Sequence, residues 1–226
     1  MKRYARNQIT LSEEENQMLH DAKVCVVGCG GLGGYSIEML ARLGVGTITA
    51  IDGDVFDESN LNRQILSDTQ NLGESKALTA QKRILSVNPE TNLYPVTAFL
   101  TPQNAKQLLK DHDVIVDALD SIEARFLIQE TAKALQIPFV HGAIAGWYGQ
   151  VSTIFPGEDT LNKIYKNRNS TGKEKIVGNP AFTPALISAQ QVSEVVKILI
   201  HRGDLLRKKM LFMNVLDHEY EVLELE

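Results

Sequence analysis

The chain has only two cysteines in 226 residues, Cys25 and Cys29. One falls inside an apolar run and the other in a glycine cluster, which argues against a disulfide framework and the secreted folds that depend on one. No apolar run approaches the length of a membrane span. The N-terminus, MKRYARNQITLSEEEN, has no apolar core of the signal-peptide kind. A cytoplasmic location is therefore expected, with no membrane partner. Positive charge is not in excess: 23 Lys and Arg stand against 28 Asp and Glu, a formal net charge of −5. That balance argues against a broad nucleic-acid surface. No internal repeat and no second domain can be discerned, so one domain over 1–226 is expected. The remaining composition, 43% hydrophobic and 23% charged, is that of an ordinary globular protein long enough for a sizeable core.

Within that ordinary composition the stretch from Lys23 to Lys76 stands out. An apolar run, Val24 to Val27, meets the glycine cluster Gly28-Cys29-Gly30-Gly31-Leu32-Gly33-Gly34. A helical pattern follows, then a second apolar run, Thr47 to Ile51, that ends in Asp52. This strand, turn, helix, strand and acid layout binds a nucleotide. Glycines let the backbone turn tightly and approach the ligand, and the helix aims free N–H groups and its positive dipole end at an anion. Asp52, at the end of the second strand, is placed to accept hydrogen bonds from a ribose.

The rest of the chain reads as a βαβ succession. Residues 1–22 are expected to form an N-terminal arm and a short helix over Ser12 to His20, with Ser12 as its N-cap; from composition alone the basic Lys2, Arg3 and Arg6 read as a solvated terminus. Residues 53–73 are polar and without period, a connection long enough to be functional. Glu74 to Val87 reads as a helix ended by Asn88-Pro89. A third strand is expected over Leu93 to Val96, where Pro95 suggests an edge position. Thr101-Pro102 reads as a helix start, Val114 to Val116 as a buried fourth strand, Ile122 to Leu135 as a helix, and Phe139-Val140 as a fifth strand. After that the pattern changes. Gly149 to Phe155 alternates as an antiparallel strand does, and residues 158–177, with Lys163, Lys166, Arg168, Lys173 and Lys175, read as a long mobile loop. Thr183-Pro184 is expected to start a long helix, and Met210 to Val215 with Tyr220 to Leu225 a β-hairpin. The fold class is thus α/β, a Rossmann-like open sheet whose parallel N-terminal part is extended by antiparallel C-terminal strands.

Two further clusters bear on the chemistry. A glycine turn followed by an acid fits an NAD(P)-dependent oxidoreductase as well as anything else. Beyond the acid, however, the run from Ser59 through Asn60, Asn62, Arg63 and Gln64, and then Lys76 at a helix start, supplies amides and two cations. A triphosphate extending away from the ribose needs such charge, whereas a dinucleotide pyrophosphate over the glycine turn does not obviously need it. The second cluster is Asp117-Ala118-Leu119-Asp120-Ser121, at the carboxyl end of the fourth strand, where ligands bind in open α/β sheets. A carboxylate there can hold Mg²⁺, a hard cation that takes oxygen ligands and bridges phosphates. Asp120 is favoured over Asp117, although Asp120 or Ser121 could instead cap the next helix.

Taken in order, RYARNQI, VGCGGLG, IDGDVFDESNLNRQ, GESKA and DALDS resemble the ThiF/MoeB/HesA family, relatives of the ubiquitin-activating enzymes, in register over residues 3–121. Weaker similarity continues through HGAIAGWYGQVSTIFPG and GNPAFTPALISAQQVSEVVKIL. The resemblance implies an adenylyltransferase that uses ATP and Mg²⁺ to adenylate the C-terminal glycine carboxylate of a small ubiquitin-like carrier protein ending in Gly-Gly. Pyrophosphate would be released, and the product would feed sulfur incorporation of the thiamine or molybdopterin kind. It implies a nucleotide site of Gly28, Gly30, Gly31, Gly33, Asp52, Asp54, Ser59, Asn60, Arg63, Gln64, Lys76, Asp120 and Ser121. In that site Asp52 would hold the ribose, Asn60, Arg63 and Lys76 the phosphates, and Asp120 the Mg²⁺ and the reacting centre. It also implies a homodimer in which Arg6 reaches the partner's ATP site and acts there beside Asp120, Arg63 and Lys76. A tRNA or a peptide terminus as acceptor is the alternative within the family.

The chain departs from that resemblance in its cysteines. Many family members carry two CxxC pairs around a structural zinc, and some a further cysteine for sulfur transfer. Cys25 and Cys29 cannot supply the four ligands of a tetrahedral site, and the five histidines are scattered without metal spacing. No zinc is expected. Ser121 also stands where many relatives have asparagine.

Overall fold

The computed structural model describes residues 2–166 and 177–225. One eight-stranded sheet runs through it in the order β3-β2-β1-β4-β5-β6-β7-β8. The strands are β1 Lys23–Val27, β2 Thr47–Ile51, β3 Asn92–Val96, β4 Val114–Asp117, β5 Phe139–Ala145, β6 Tyr148–Ile154, β7 Lys209–Asn214 and β8 Glu219–Glu224. The first five pair in parallel, with Val27 opposite both Ile51 and Asp117, so β1, β2 and β4 end level. From β5 onward the pairing is antiparallel. The expected mixed sheet is therefore present, with Pro95 on an edge strand, where a missing N–H costs no ladder bond.

Alternation along β1 shows why its sequence has no polar positions. Val24 and Val26 pack with Leu40, Ile84, Ile187 and Val195 on one face. Cys25 and Val27 pack with Phe126, Ile128 and Leu109 on the other. Helices thus cover both faces, as a parallel sheet requires: α2 Gly31–Leu43, α3 Lys76–Val87 and α7 Phe182–Ile200 on the first, α4 Ala105–Leu109, α5 Ile122–Leu135 and α6 Thr160–Ile164 on the second. A further helix, α1 Glu13–Asp21, is opened by Ser12 in a reciprocal capping box with Glu15.

Several local expectations shift. The helix after Thr101-Pro102 begins later, at Ala105, because Asn104 turns its side-chain oxygen back to the Thr101 N–H at 2.8 Å and closes a turn first. The long C-terminal helix begins at Phe182, one residue before Thr183, whose buried hydroxyl instead donates to the Gly146 carbonyl at 2.7 Å. The span expected as a loop from residue 158 opens with α6, pinned where the Leu161 N–H donates to the Gln129 side chain at 2.9 Å. The rest of that expectation, over 167–176 with Arg168, Lys173 and Lys175, lies outside the described residues.

Candidate active site

The level carboxyl ends of β1, β2 and β4 open into a cleft of about 600 Å³. Its floor is the glycine turn. Gly28 has φ +98°, and a Cβ there would stand 2.6 Å from the Ala118 carbonyl oxygen of the β4 end; a Cβ at Gly33 would stand 1.7 Å from the Gly28 oxygen. Both positions exclude a side chain, which is how α2 seats its first turn directly against the end of β1. An added Cβ at Gly30 or Gly31 would make ordinary van der Waals contact, with Gln64 at 3.5 Å and Pro184 at 3.4 Å, and both glycines line the cleft. No side chain caps the N-terminus of α2. Its free N–H groups and dipole therefore face the cleft, which suits an anion.

Asp52 stands at the rim at the end of β2. Its two oxygens accept the Cys29 N–H at 2.7 Å and the Asp54 N–H at 2.8 Å, so the turn and the acid hold each other. Burial pushes its carboxyl above the ordinary 3.8, against the lowering by those N–H groups and by Lys76. Asp54 lies beyond it, and its carboxylate sits 3.6 Å from the ammonium of Lys76, whose side chain is only 9% exposed. Arg63 is held by the Ser59 carbonyl at 2.9 Å and the Asn62 side chain at 2.8 Å. Both cations line the cleft, together with Ser59, Gln64 and Asp120. Asp120 is exposed and makes no hydrogen bond or ion pair among the described residues.

Four expected positions fall outside the cleft lining. Gly33 serves the packing just described. The buried Asn60 turns its side-chain oxygen to the Asp57 N–H at 3.1 Å, so it shapes the loop that carries Arg63. Ser121 caps α5 by accepting the Ala124 N–H at 3.4 Å. Arg6 is exposed on the N-terminal arm. The arm packs at the opposite, amino end of the strands, where Tyr4 meets Gly44 and receives a hydrogen bond from Asn88 at 2.7 Å. Within one chain Arg6 is therefore remote from the cleft.

The cleft also contains residues with no motif in the sequence. Phe99 and Leu100, just after β3, form one wall, and Ile144, Gly178 and Asn179 another. Phe99 leaves no room for a side chain at Gly53, which would meet its ring at 2.7 Å. Arg125, 5% exposed, lies behind the β4 end. The side-chain oxygens of Gln64 and Asn179 are buried and unpartnered among the described residues. Orphan acceptors beside an open cleft fit a bound molecule that brings its own donors. Among the described residues no group of three or more His, Cys, Asp or Glu is arranged to hold a metal ion. A lone exposed carboxylate suits a cation whose other ligands are phosphate oxygens and water. Cys25 and Cys29 are fully buried, and burial pushes both thiols up, away from the reactive thiolate. No helix among the described residues is long and apolar enough to cross a membrane.

Comparison with known proteins shows the family. A model of the ThiF family matches residues 4–226. A SAMP-activating enzyme E1 from Haloferax volcanii is 31% identical over 228 residues, spanning 99% of this chain and 84% of that protein. A sulfur carrier protein adenylyltransferase from Thermus thermophilus is 32% identical over 243 residues, spanning 99% and 86%. Among solved structures, the E. coli tRNA N6-threonylcarbamoyladenosine dehydratase in complex with ATP superimposes with a TM-score of 0.75 at 26% identity, over 88% of this chain and 94% of that one.

Proposed function

The chain belongs to the ThiF family, and from that premise we propose that it adenylates the C-terminal glycine carboxylate of a small ubiquitin-like sulfur-carrier protein, consuming ATP and releasing pyrophosphate. The observation that carries this reading is the meeting in one cleft of an uncapped helix N-terminus, the rim acid Asp52, the cations Arg63 and Lys76, and Asp120, which has no partner among the described residues. A hydride-transfer site has no use for the pair Arg63 and Lys76, whereas a triphosphate does.

The roles follow from the chemistry. The turn at Gly30 and Gly31 lines the cleft at an uncapped helix start, where phosphate would meet backbone N–H groups. Asp52, already oriented by two N–H donors, has lone pairs left for ribose hydroxyls. Lys76 and Arg63 offset charge on the phosphates. Asp120, a cleft acid without a partner among the described residues, would hold Mg²⁺, which when bound supplies charge neutralisation on the phosphate oxygens. Attack by a carboxylate on the α-phosphate needs alignment and charge balance more than a protein nucleophile, in keeping with two buried, inert thiols. Arg6, remote from its own cleft, would serve the cleft of a second copy in a homodimer.

The test is isotope exchange between ATP and pyrophosphate with Mg²⁺ and a small protein ending in Gly-Gly. Exchange that depends on the carrier is expected. Exchange that instead requires a tRNA or a peptide would move the chain to another acceptor, and none with any of them would overturn adenylation.

A further inference from the structure

Beneath the cleft lies a buried polar network that the roles above leave unused. Asp117 and His141 are both fully buried, and His141 Nδ1 stands 2.7 Å from Asp117 Oδ2. The other oxygen of Asp117 accepts the Leu119 N–H at 3.1 Å. On the far side Arg125 donates to the Leu119 carbonyl through Nη2 at 2.7 Å and Nε at 3.2 Å, and through Nη1 to the Tyr165 hydroxyl at 2.7 Å. That hydroxyl lies 3.1 Å from His141 Nε2, and the Gln150 amide nitrogen reaches both, at 3.0 Å to Tyr165 and 3.3 Å to His141.

The donor count settles the protons. Arg125 can only donate to Tyr165, and so does the Gln150 amide nitrogen. The hydroxyl proton of Tyr165 therefore points at His141 Nε2, and His141 carries its own proton on Nδ1, toward Asp117. The ring is neutral, in keeping with burial that lowers its basicity and raises the Tyr165 hydroxyl to about 12. The chain of contacts thus joins one anion, Asp117, to one cation, Arg125, through two neutral groups. Its ends close on the two sides of a single residue: the N–H and the carbonyl of Leu119.

We propose that this network is a positioning clamp, in which Asp117 and Arg125, held in register by His141 and Tyr165, lock the Leu119 peptides and so aim Asp120 into the cleft. The inference rests on the reading of the cleft as an ATP site. Its physical reason is that Asp120 has no partner of its own among the described residues, so only its backbone can orient it. A residue left free to meet a cation must be aimed from behind, and groups that aim a ligand matter nearly as much as the ligand. Arg125, Tyr165 and His141 are positioning residues here.

Tyr165→Phe removes the one hydroxyl that joins the cationic and histidine halves while keeping the ring against Phe126 and Arg125. Arg125→Lys removes the two-pronged grip on Leu119. Both are compared with the unaltered protein in two measurements. The first is hydrogen–deuterium exchange of residues 117–121 without nucleotide or metal, where faster exchange by about tenfold is expected in that segment while β1 and β2 keep their protection. The second is carrier-dependent ATP–pyrophosphate exchange across a Mg²⁺ titration, where a lower kcat and a higher half-saturating Mg²⁺, each by about tenfold, are expected with the KM for the carrier unchanged. Unchanged hydrogen exchange at 117–121, or loosening there without any change in the Mg²⁺ titration, overturns the clamp. If the unaltered protein exchanges no pyrophosphate at all, the ATP reading fails, and the clamp as an aiming device for Asp120 falls with it. A working wild type with indifferent variants overturns the clamp alone. Should Arg125→Lys not fold, Tyr165→Phe decides.

Discussion

The carboxyl ends of β2 and β4 meet the same cleft, yet they present their acids in opposite ways. At the end of β2 a single carboxylate does two jobs: Asp52 ties down the glycine turn through the Cys29 N–H and still faces the rim. At the end of β4 the jobs are divided. Asp117 is fully buried and spends its oxygens on His141 and Leu119, while Asp120, three residues on, is exposed and unencumbered. The difference suits the ligands each end would meet. A ribose offers hydroxyl donors that share a carboxylate with backbone N–H groups, whereas a divalent cation competes best for an acid without other attachments.

The contrast can be broken at its most exposed point first. Asp120→Ala is expected to lower ATP–pyrophosphate exchange by at least about 100-fold. Its thermal midpoint should be almost unmoved, since the side chain holds nothing among the described residues. Mixed with Arg6→Ala, it should regain about a quarter of the wild-type rate if each cleft takes its arginine from a second copy. No recovery in a mixture that demonstrably exchanges subunits argues against Arg6 acting in trans. Asp117→Ala should strike stability as well as the aim of Asp120. It strands a buried imidazole N–H and the Leu119 N–H, so urea denaturation should show a loss of about 3 kcal/mol in stability. A fully stable Asp117→Ala would show that the two acids of this end are not divided as described.

Asp52→Asn sharpens the other end. It should weaken ATP binding by about tenfold in calorimetry and remove a pH dependence of stability. Because burial raises the Asp52 carboxyl above 3.8 on folding, the folded chain holds that proton more tightly than the unfolded chain does. Its contribution to stability is then fully present below 3.8 and is lost as pH rises through the folded value. The stability of Asp52→Asn relative to the native chain should therefore improve from pH 3.5 toward neutrality, and a relative stability that falls over that range would contradict the raised value. This is the smallest of the three effects, since the acid is partly exposed and the shift is opposed by two N–H donors and Lys76.

Much of this could be read from the chain before it folded. The unbroken apolar run of β1 announced a strand covered on both faces, Pro95 an edge, and the spacing from Gly28 to Asp52 a nucleotide turn, because each depends on neighbours within a few residues. Of the cleft residues, Asp52 and Asp120 were legible from their places past strand ends, Ser59, Arg63, Gln64 and Lys76 as a polar run and a helix start beyond the acid, and Asp54 only through the resemblance to the family. Asn60 and Ser121 were legible as polar positions in the right place, but the sequence does not tell a ligand contact from a loop brace or a helix cap.

Sequence by itself therefore determined the fold class, through short-range pattern, and the family, through motifs in register along the chain, and it pointed to the ends of β2 and β4 as the place for a site. Position in the chain favoured Asp120 over Asp117, but tertiary structure alone decided what anchors Asp117. His141 meets Asp117 from 24 residues away, and Tyr165 meets Arg125 from 40. Neither pairing leaves a periodic trace, since a buried polar contact depends on where two distant elements dock and not on the residues beside it in the chain.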